Sequence, residues 1–220
     1  MNTSTTHTVL RTEGLVKRFG GIAATQDVSL NVHHGARHAL IGPNGAGKTT
    51  LINLLTGVLE PSAGRILLDG DDITHLAPHQ RVRRGMVRTF QITQPFAKLT
   101  VHENIAVGAY QKYNDRDEAW EHARRVAEQV GMAQILNQPA ADLTVAGRKR
   151  LELARTLATG PKLLLLDEVM AGLNPSEIID IIDIIQKIRA SGVTVLLIEH
   201  VMQAVMSLSE HIYVLSYGKI

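Results

Sequence analysis

Hydrophobic positions follow three rhythms along the chain. Over residues 9–69 they come in short stretches that suit strands divided by turns. Val28-Ser29-Leu30-Asn31-Val32 alternates apolar with polar, His33-His34-Gly35 reads as a turn, and Arg65-Ile66-Leu67-Leu68-Asp69-Gly70 closes another strand. Over 101–157 the spacing becomes helical with charged faces. Within 115–129 Trp120, Ala123 and Ala127, with Val130 just beyond, fall on one side, so this stretch is expected to form an inserted helical subdomain. Two apolar runs without alternation follow, at 162–168 and 193–200. Such runs suit strands buried on both faces of a parallel sheet.

The segment between those runs predicts an amphipathic helix with a defined start. Asn174 suits the N-cap, Pro175 the first helical position, and Glu177 the reciprocal carboxylate of a capping box. Ile178, Ile181, Ile182, Ile185 and Ile188 make a stripe that a crossover helix would lay on the sheet, with Asp180, Asp183 and Lys187 on the other side. The strand-helix-strand unit is expected to be right-handed. Residues 212–220 read as a strand and turn with a further strand barely begun, an unpaired edge from which the native protein is expected to continue beyond Ile220. No internal repeat or low-complexity segment is evident.

One of the turns carries chemistry. Gly42-Pro43-Asn44-Gly45-Ala46-Gly47-Lys48-Thr49-Thr50 fits the phosphate-binding pattern G-x-x-x-x-G-K-[ST] without a mismatch, between the predicted strand His38-Ala39-Leu40-Ile41 and a predicted helix over 49–55. Glycines let the loop wrap until its N–H groups face phosphate oxygens, and the helix offers the positive end of its dipole. Lys48 adds a mobile cation for the β- and γ-phosphates, and Thr49 a hydroxyl for Mg²⁺. The expected ligands are ATP and Mg²⁺.

Two acids, Asp167 and Glu168, end the run of four leucines, at the carboxyl edge where open α/β sheets place their ligands. Asp167 is assigned to the metal and Glu168 to orienting, or taking a proton from, the attacking water. His200 ends the next apolar run at the same edge, where a donor could sense the γ-phosphate. His33, His34, His75 and His79 show no converging acidic partners and are read as surface residues.

Composition narrows the partners. The chain has 220 residues, 45% of them hydrophobic, enough for one sizeable core, and a formal charge of only +2. Without cysteine there are no disulfides or thiolate metal sites. No apolar stretch approaches the length of a membrane span, so work at a membrane would depend on a partner. The basic cluster Arg81-Val82-Arg83-Arg84 with Arg88 lacks aromatic interleaving and is read as a solvated face, so no nucleic acid is expected.

Taken together, these residues resemble the nucleotide-binding subunit of an ATP-binding cassette transporter over essentially the whole chain. The resemblance implies an α/β P-loop NTPase fold with a RecA-like, mostly parallel sheet, an N-terminal antiparallel β subdomain and an inserted helical subdomain. As a single cassette it would divide into core and β subdomain at about 8–91 and 159–220, with helices at about 92–158. Phe19 matches the aromatic that stacks on adenine, and Gln91 the glutamine that touches Mg²⁺ and water while linking to the membrane partner. Gly172-Leu173-Asn174-Pro175 resembles the family's D-loop, and His200 its switch histidine.

Thr144-Val145-Ala146-Gly147 occupies the place of the signature, usually Ser-Gly-Gly-Gln, that binds the γ-phosphate held by the opposite subunit. Thr144 keeps the hydroxyl. The Cβ atoms of Val145 and Ala146 are expected to limit positive φ and close approach to phosphate. Val169 replaces the usual proline after the catalytic acid and is expected to loosen that turn.

Phe19-Gly20-Gly21, Arg88-Thr89-Phe90-Gln91, the segment 99–105 and the run 150–155 are similar to ATPases of branched-chain amino acid importers. That resemblance implies a homodimer, or a heterodimer with a second ATPase, sandwiching two ATP molecules. It would grip two transmembrane permeases fed by a periplasmic or extracellular solute-binding protein, and sit peripherally on the cytoplasmic face of the membrane. Gln91 and the segment 92–99 would pass the motion on. A lipid or lipopolysaccharide exporter ATPase, or a cassette ATPase acting on nucleic acid or ribosomes, shares the same ATP chemistry and stays as the alternative.

Overall fold

The computed structural model describes residues 7–90 and 94–220. The chain opens with a long hairpin, β1 (Thr8–Phe19) and β2 (Ile22–His33), followed by β3 (Arg37–Ile41) and α1 (Lys48–Leu55). Next come β4 (Ala63–Leu68), β5 (Asp71–Asp72), α2 (Pro78–Arg83) and β6 (Met86–Arg88). Helices α3 (Val101–Ala109), α4 (Arg116–Gln129) and α5 (Val145–Ala158) fill the middle of the chain. The remainder alternates: β7 (Leu163–Asp167), α6 (Pro175–Ala190), β8 (Thr194–Ile198), α7 (Met202–Leu208), β9 (His211–Val214).

The strands form an antiparallel sheet in the order β2-β1-β4-β5 and a parallel sheet in the order β6-β7-β8-β3-β9. Every residue of β7 and β8 is buried, as their unalternated sequences predict. Side chains of a strand point alternately to its two faces, and here each face meets a different core. Leu163 and Leu165 join Leu40, Leu196 and Ile198 in a cluster with α1 and the antiparallel sheet. Leu164 and Leu166 join Val195 and Leu197 in a cluster with α6 and the inserted helices.

Helix α6 begins as its sequence dictates. Asn174 Oδ1 accepts from the Glu177 N–H at 3.0 Å, and Glu177 Oε2 accepts from the Asn174 N–H at 2.9 Å. Its five predicted isoleucines are buried, together with Ile184. Among the inserted helices, the buried stripe of α4 is Ala119, Ala123, Val126 and Ala127, and small residues let neighbouring backbones close in. At Gly108 of α3 a Cβ would lie 2.3 Å from the Arg155 carbonyl oxygen of α5.

The basic cluster is not wholly solvated. Arg81 is 2% exposed, because its guanidinium donates to the Leu54, Leu55, Thr74 and Leu76 carbonyls at 2.6–2.9 Å. Two of those carbonyls end α1, so the cation neutralises the negative terminus of the helix whose other end carries the phosphate loop. Burial lowers the Arg81 pKa to about 10, which leaves it charged at neutral pH.

His38 is likewise buried, its ring stacked against those of His211 at 5.1 Å and Tyr213 at 5.7 Å on the neighbouring strand β9. Its Nε2 accepts from the His33 N–H at 3.2 Å, which assigns the neutral ring's proton to Nδ1. Burial, with the charges of His211 and His33, lowers its pKa to about 4 against an opposing pull from Glu210.

Two outcomes are expected. Replacing Arg81 with Ala strands four buried acceptors and should cost about 3 kcal/mol in chemical unfolding, with Lys restoring little because an ammonium cannot span the fork. For His38 the unfolded chain takes up the proton first. Stability should therefore fall as pH drops from about 6.5 to about 4, by at most about 3 kcal/mol, and His38→Phe should flatten that part of the profile.

Candidate active site

Strand register puts the chemistry at one edge. β8 lies between β7 and β3, with Ile198 opposite both Asp167 and Leu40. The phosphate loop, Glu168 and the pair Glu199-His200 therefore leave the sheet from one row of residues. The Glu168 N–H continues the ladder by donating to the Ile198 carbonyl at 2.9 Å.

The phosphate loop is held from outside. At Gly42 a Cβ would lie 2.1 Å from the Leu215 carbonyl oxygen, and at Gly47, φ 106°, one would lie 2.4 Å from that of Ala24. The loop thus packs against the C-terminal turn and β2 at distances that only glycine permits. Gly47 is also the N-cap of α1, and with no side chain to cap the helix its first-turn N–H groups remain for an anion. Lys48 Nζ rests on the Gly42 and Pro43 carbonyls at 2.6 and 3.1 Å.

A cavity of about 600 Å³ opens here, lined by Asn44, Gly45, Gly47, Lys48, Thr49, Thr50 and Glu168. Ile22 and Tyr217 extend its wall. Neither residue stands out in the sequence. Their place follows from the packing of the C-terminal turn, where the Gly218 N–H donates to the Ala46 carbonyl at 2.9 Å and the Gln26 N–H to that of Gly218 at 2.7 Å.

Asp167 stands just behind Glu168. Its N–H donates to Thr89 Oγ1 at 3.1 Å, and its carboxylate meets Arg88 at 3.4 Å with both side chains nearly buried. Burial raises the Asp167 pKa against the pull of Arg88, and burial also lowers that of Arg88. Desolvation therefore outweighs the attraction within the pair. Glu168 sits at φ 48°, a conformation that costs a residue other than glycine about 1–3 kcal/mol unless its surroundings enforce it. Its carbonyl accepts from Lys149 Nζ at 3.3 Å and from the Ala171 N–H at 3.2 Å. Val169, which stands in place of the usual proline, is 2% exposed and packs into the core.

Other predicted residues lie around this centre. His200 is exposed at the end of β8, and Phe19 is half-exposed in the β1–β2 hairpin, paired with Ile22 of the cavity wall. Lys17 Nζ stands 5.2 Å from the Phe19 ring. Gln91, with residues 92 and 93, lies outside the described residues.

The signature segment departs from expectation. Thr144 is the N-cap of α5, its hydroxyl accepting from the Gly147 N–H at 3.1 Å, and Val145 and Ala146 fall in the first helical turn without positive φ. The Cβ atoms therefore impose no φ strain, and Ala146 turns its methyl inward, 8% exposed.

His34 is a surface residue as read, but it has an acidic partner. Its Nε2 lies 2.9 Å from Asp69 Oδ1, and Lys162 completes the group at 2.8 Å from Asp69 Oδ2. His7 brings a third ligand atom within 4.8 Å, but the carboxylate is already engaged by the His34 and Lys162 side chains. Glu199 escaped notice because it follows an apolar run as a single acid beside His200. The structure buries it to 1% exposure.

The family model described as ABC transporter matches residues 25–171. The chain belongs to the ABC transporter family. It is similar to the high-affinity branched-chain amino acid transport ATP-binding protein BraF of Pseudomonas aeruginosa, 42% identical over 96% of this chain and 89% of BraF. It is also similar to the corresponding LivG of Escherichia coli K12, 38% identical over the same shares. A solved ATP-binding cassette of an ABC transporter in its ADP conformation superposes with a TM-score of 0.88 and 34% identity, covering 97% of this chain and 89% of its own. The cassette described here is thus an ABC transporter ATPase with the P-loop α/β fold.

Because Ala146 neither strains the backbone nor presents its methyl outward, Ala146→Gly should leave ATP hydrolysis unchanged or raise it slightly. Steady-state phosphate release checks this, with no more than about a twofold change expected, since glycine in a first helical turn costs less than 1 kcal/mol.

Proposed function

We propose that this ATPase powers the import of branched-chain amino acids, or a closely related small solute, through partner permeases. The single observation that carries the chemistry is that Lys48, Thr49 and Glu168 line one cavity beside the uncapped start of α1. Support for the cargo comes from relatives whose names describe branched-chain amino acid transport, matched over nearly the whole chain.

In this reading the triphosphate lies along residues 42–50, and Lys48 leaves its carbonyl perch to reach the β- and γ-phosphates. The Thr49 hydroxyl and the Asp167 carboxylate, with Gln91, hold Mg²⁺, which when bound neutralises charge on the phosphates. Glu168 takes a proton from water, or fixes its lone pair in line, as oxygen attacks the γ-phosphorus and the bond to the bridging oxygen breaks. His200 donates to the γ-phosphate, and Phe19 with Ile22 and Tyr217 flanks the base. Thr144, with the backbone of Ala146 and Gly147, faces the ATP of a second cassette.

The permease reading has its own support. A groove of about 650 Å³ lies away from the nucleotide, lined by Val58, Val87, Phe90, Val107, Gly108 and Arg155. Val58, Phe90 and Val107 are 44–57% exposed, an apolar patch of the kind that partners cover. No described helix is long and apolar enough to cross a membrane, so a seat at the cytoplasmic face would come through those permeases.

Glu168→Gln should retain nucleotide affinity within about threefold while lowering kcat by about a hundredfold or more, the loss expected when a group acts only in the transition state. Fluorescent-nucleotide titration and phosphate release measure the two quantities. Turnover near wild type would remove Glu168 from its role.

A further inference from the structure

Glu199 is a carboxylate at the end of an otherwise apolar strand, and it is 1% exposed. Burying a charge there without compensation is costly, and an apolar residue would fill the space more cheaply. No lysine or arginine stands within ion-pair distance of it among the described residues. Its compensation is backbone. Oε1 accepts from the Met170 N–H at 2.9 Å and Oε2 from the His200 N–H at 3.3 Å, with Val201 as a further backbone donor. Met170 belongs to the turn that carries Glu168, and the others to the loop that carries His200.

We propose that Glu199 is a positioning residue that locks the strained turn of Glu168 to the strand end bearing His200. This rests on the reading of Glu168 as the residue that orients water. The turn needs such a lock. Glu168 lies at φ 48°, and a residue in that region persists only where its surroundings over-determine it. Contacts among the described residues do so here. The Glu168 N–H reaches Ile198, its carbonyl takes Lys149 and the Ala171 N–H, and two residues on Glu199 fixes Met170. Among the described contacts Glu199 also takes the His200 backbone N–H, so it ties together the two segments that carry the groups flanking the terminal phosphate. Among the described residues no hydrogen bond joins the phosphate loop to Glu199, and the loop packs instead against Ala24 and Leu215.

Loss of the lock should therefore lower the rate of the chemical step and spare nucleotide binding. Glu199→Leu keeps the volume and removes both acceptors; Glu199→Gln keeps one acceptor and turns an NH₂ toward the other donor. In steady-state phosphate release the Leu variant is expected to lose about tenfold or more in kcat, and the Gln variant less, as for other residues that orient a reacting group. KM for ATP, and the dissociation constant of a fluorescent nucleotide, should stay within about threefold for both. In a Glu168→Gln background the same Leu substitution should cost little more, because the group it positions is already gone.

A folded Leu variant with kcat within twofold of wild type would overturn the proposal. So would equal losses in kcat and nucleotide affinity, which would mark a general structural role. Should the Leu variant fail to fold, the Gln variant decides: unchanged kcat overturns the proposal, and a lowered kcat at unchanged KM supports it. The parent reading fails separately. If Glu168→Gln turns over like wild type, both ideas fall; if it is inactive while Glu199→Leu is fully active, only this one does.

Discussion

The arrangement depends on the register of three parallel strands. Because Leu40, Ile198 and Asp167 lie in one row across β3, β8 and β7, residues far apart in sequence leave the sheet together. A slip of one residue in β7 would turn its leucines to the wrong cores and move Glu168 off the edge. The alternation of leucines between two cores is what prevents that slip. Leu163 and Leu165 fit against α1 and the antiparallel sheet, and Leu164 and Leu166 against α6. Hydrophobic packing of the strands and placement of the carboxylates are one constraint.

A second feature is that buried charge is compensated largely by backbone. Arg81 donates to four carbonyls, two of them at the far end of α1, and Glu199 accepts from N–H groups of the turn after Glu168 and of the segment after β8. In the Arg88–Asp167 pair the guanidinium also donates to the Asn53 side-chain oxygen and the Thr89 carbonyl. Paired charges seldom repay their desolvation by attraction alone, so hydrogen bonds to fixed backbone groups complete the account. The same bonds hold each segment in one conformation, which a site that must align water with phosphate requires.

Much of this was legible in the sequence, for identifiable reasons. The phosphate loop, the leucine strand ending in Asp167 and Glu168, and the capped isoleucine helix each announce themselves locally, because glycine spacing, apolar runs and capping boxes act over a few residues. What stayed hidden depends on distant partners. Arg81 reads as one of several surface arginines until the carbonyls ending α1 are placed beside it. His34 meets Asp69 only when β2 and β4 both pair with β1, and Tyr217 reaches the cavity beside the phosphate loop only because the turn after β9 packs on that loop. In the signature segment, residues that replace glycines elsewhere in the family suggested strain, yet they form an ordinary helical first turn capped by Thr144.

The central claim is that the site at this sheet edge hydrolyses ATP to drive import through permeases. Its most direct test is affinity capture of the tagged Glu168→Gln protein with Mg²⁺ and ATP from detergent-solubilised membranes of its own cells, with the bound chains identified by mass spectrometry. The account predicts two multi-span permease proteins in stoichiometric amounts, recovered with the wild-type apolar groove and lost when Val58 and Val107 are both changed to Asp. Recovery of ribosomal or DNA-bound proteins alone, with no membrane-spanning chain, would contradict it.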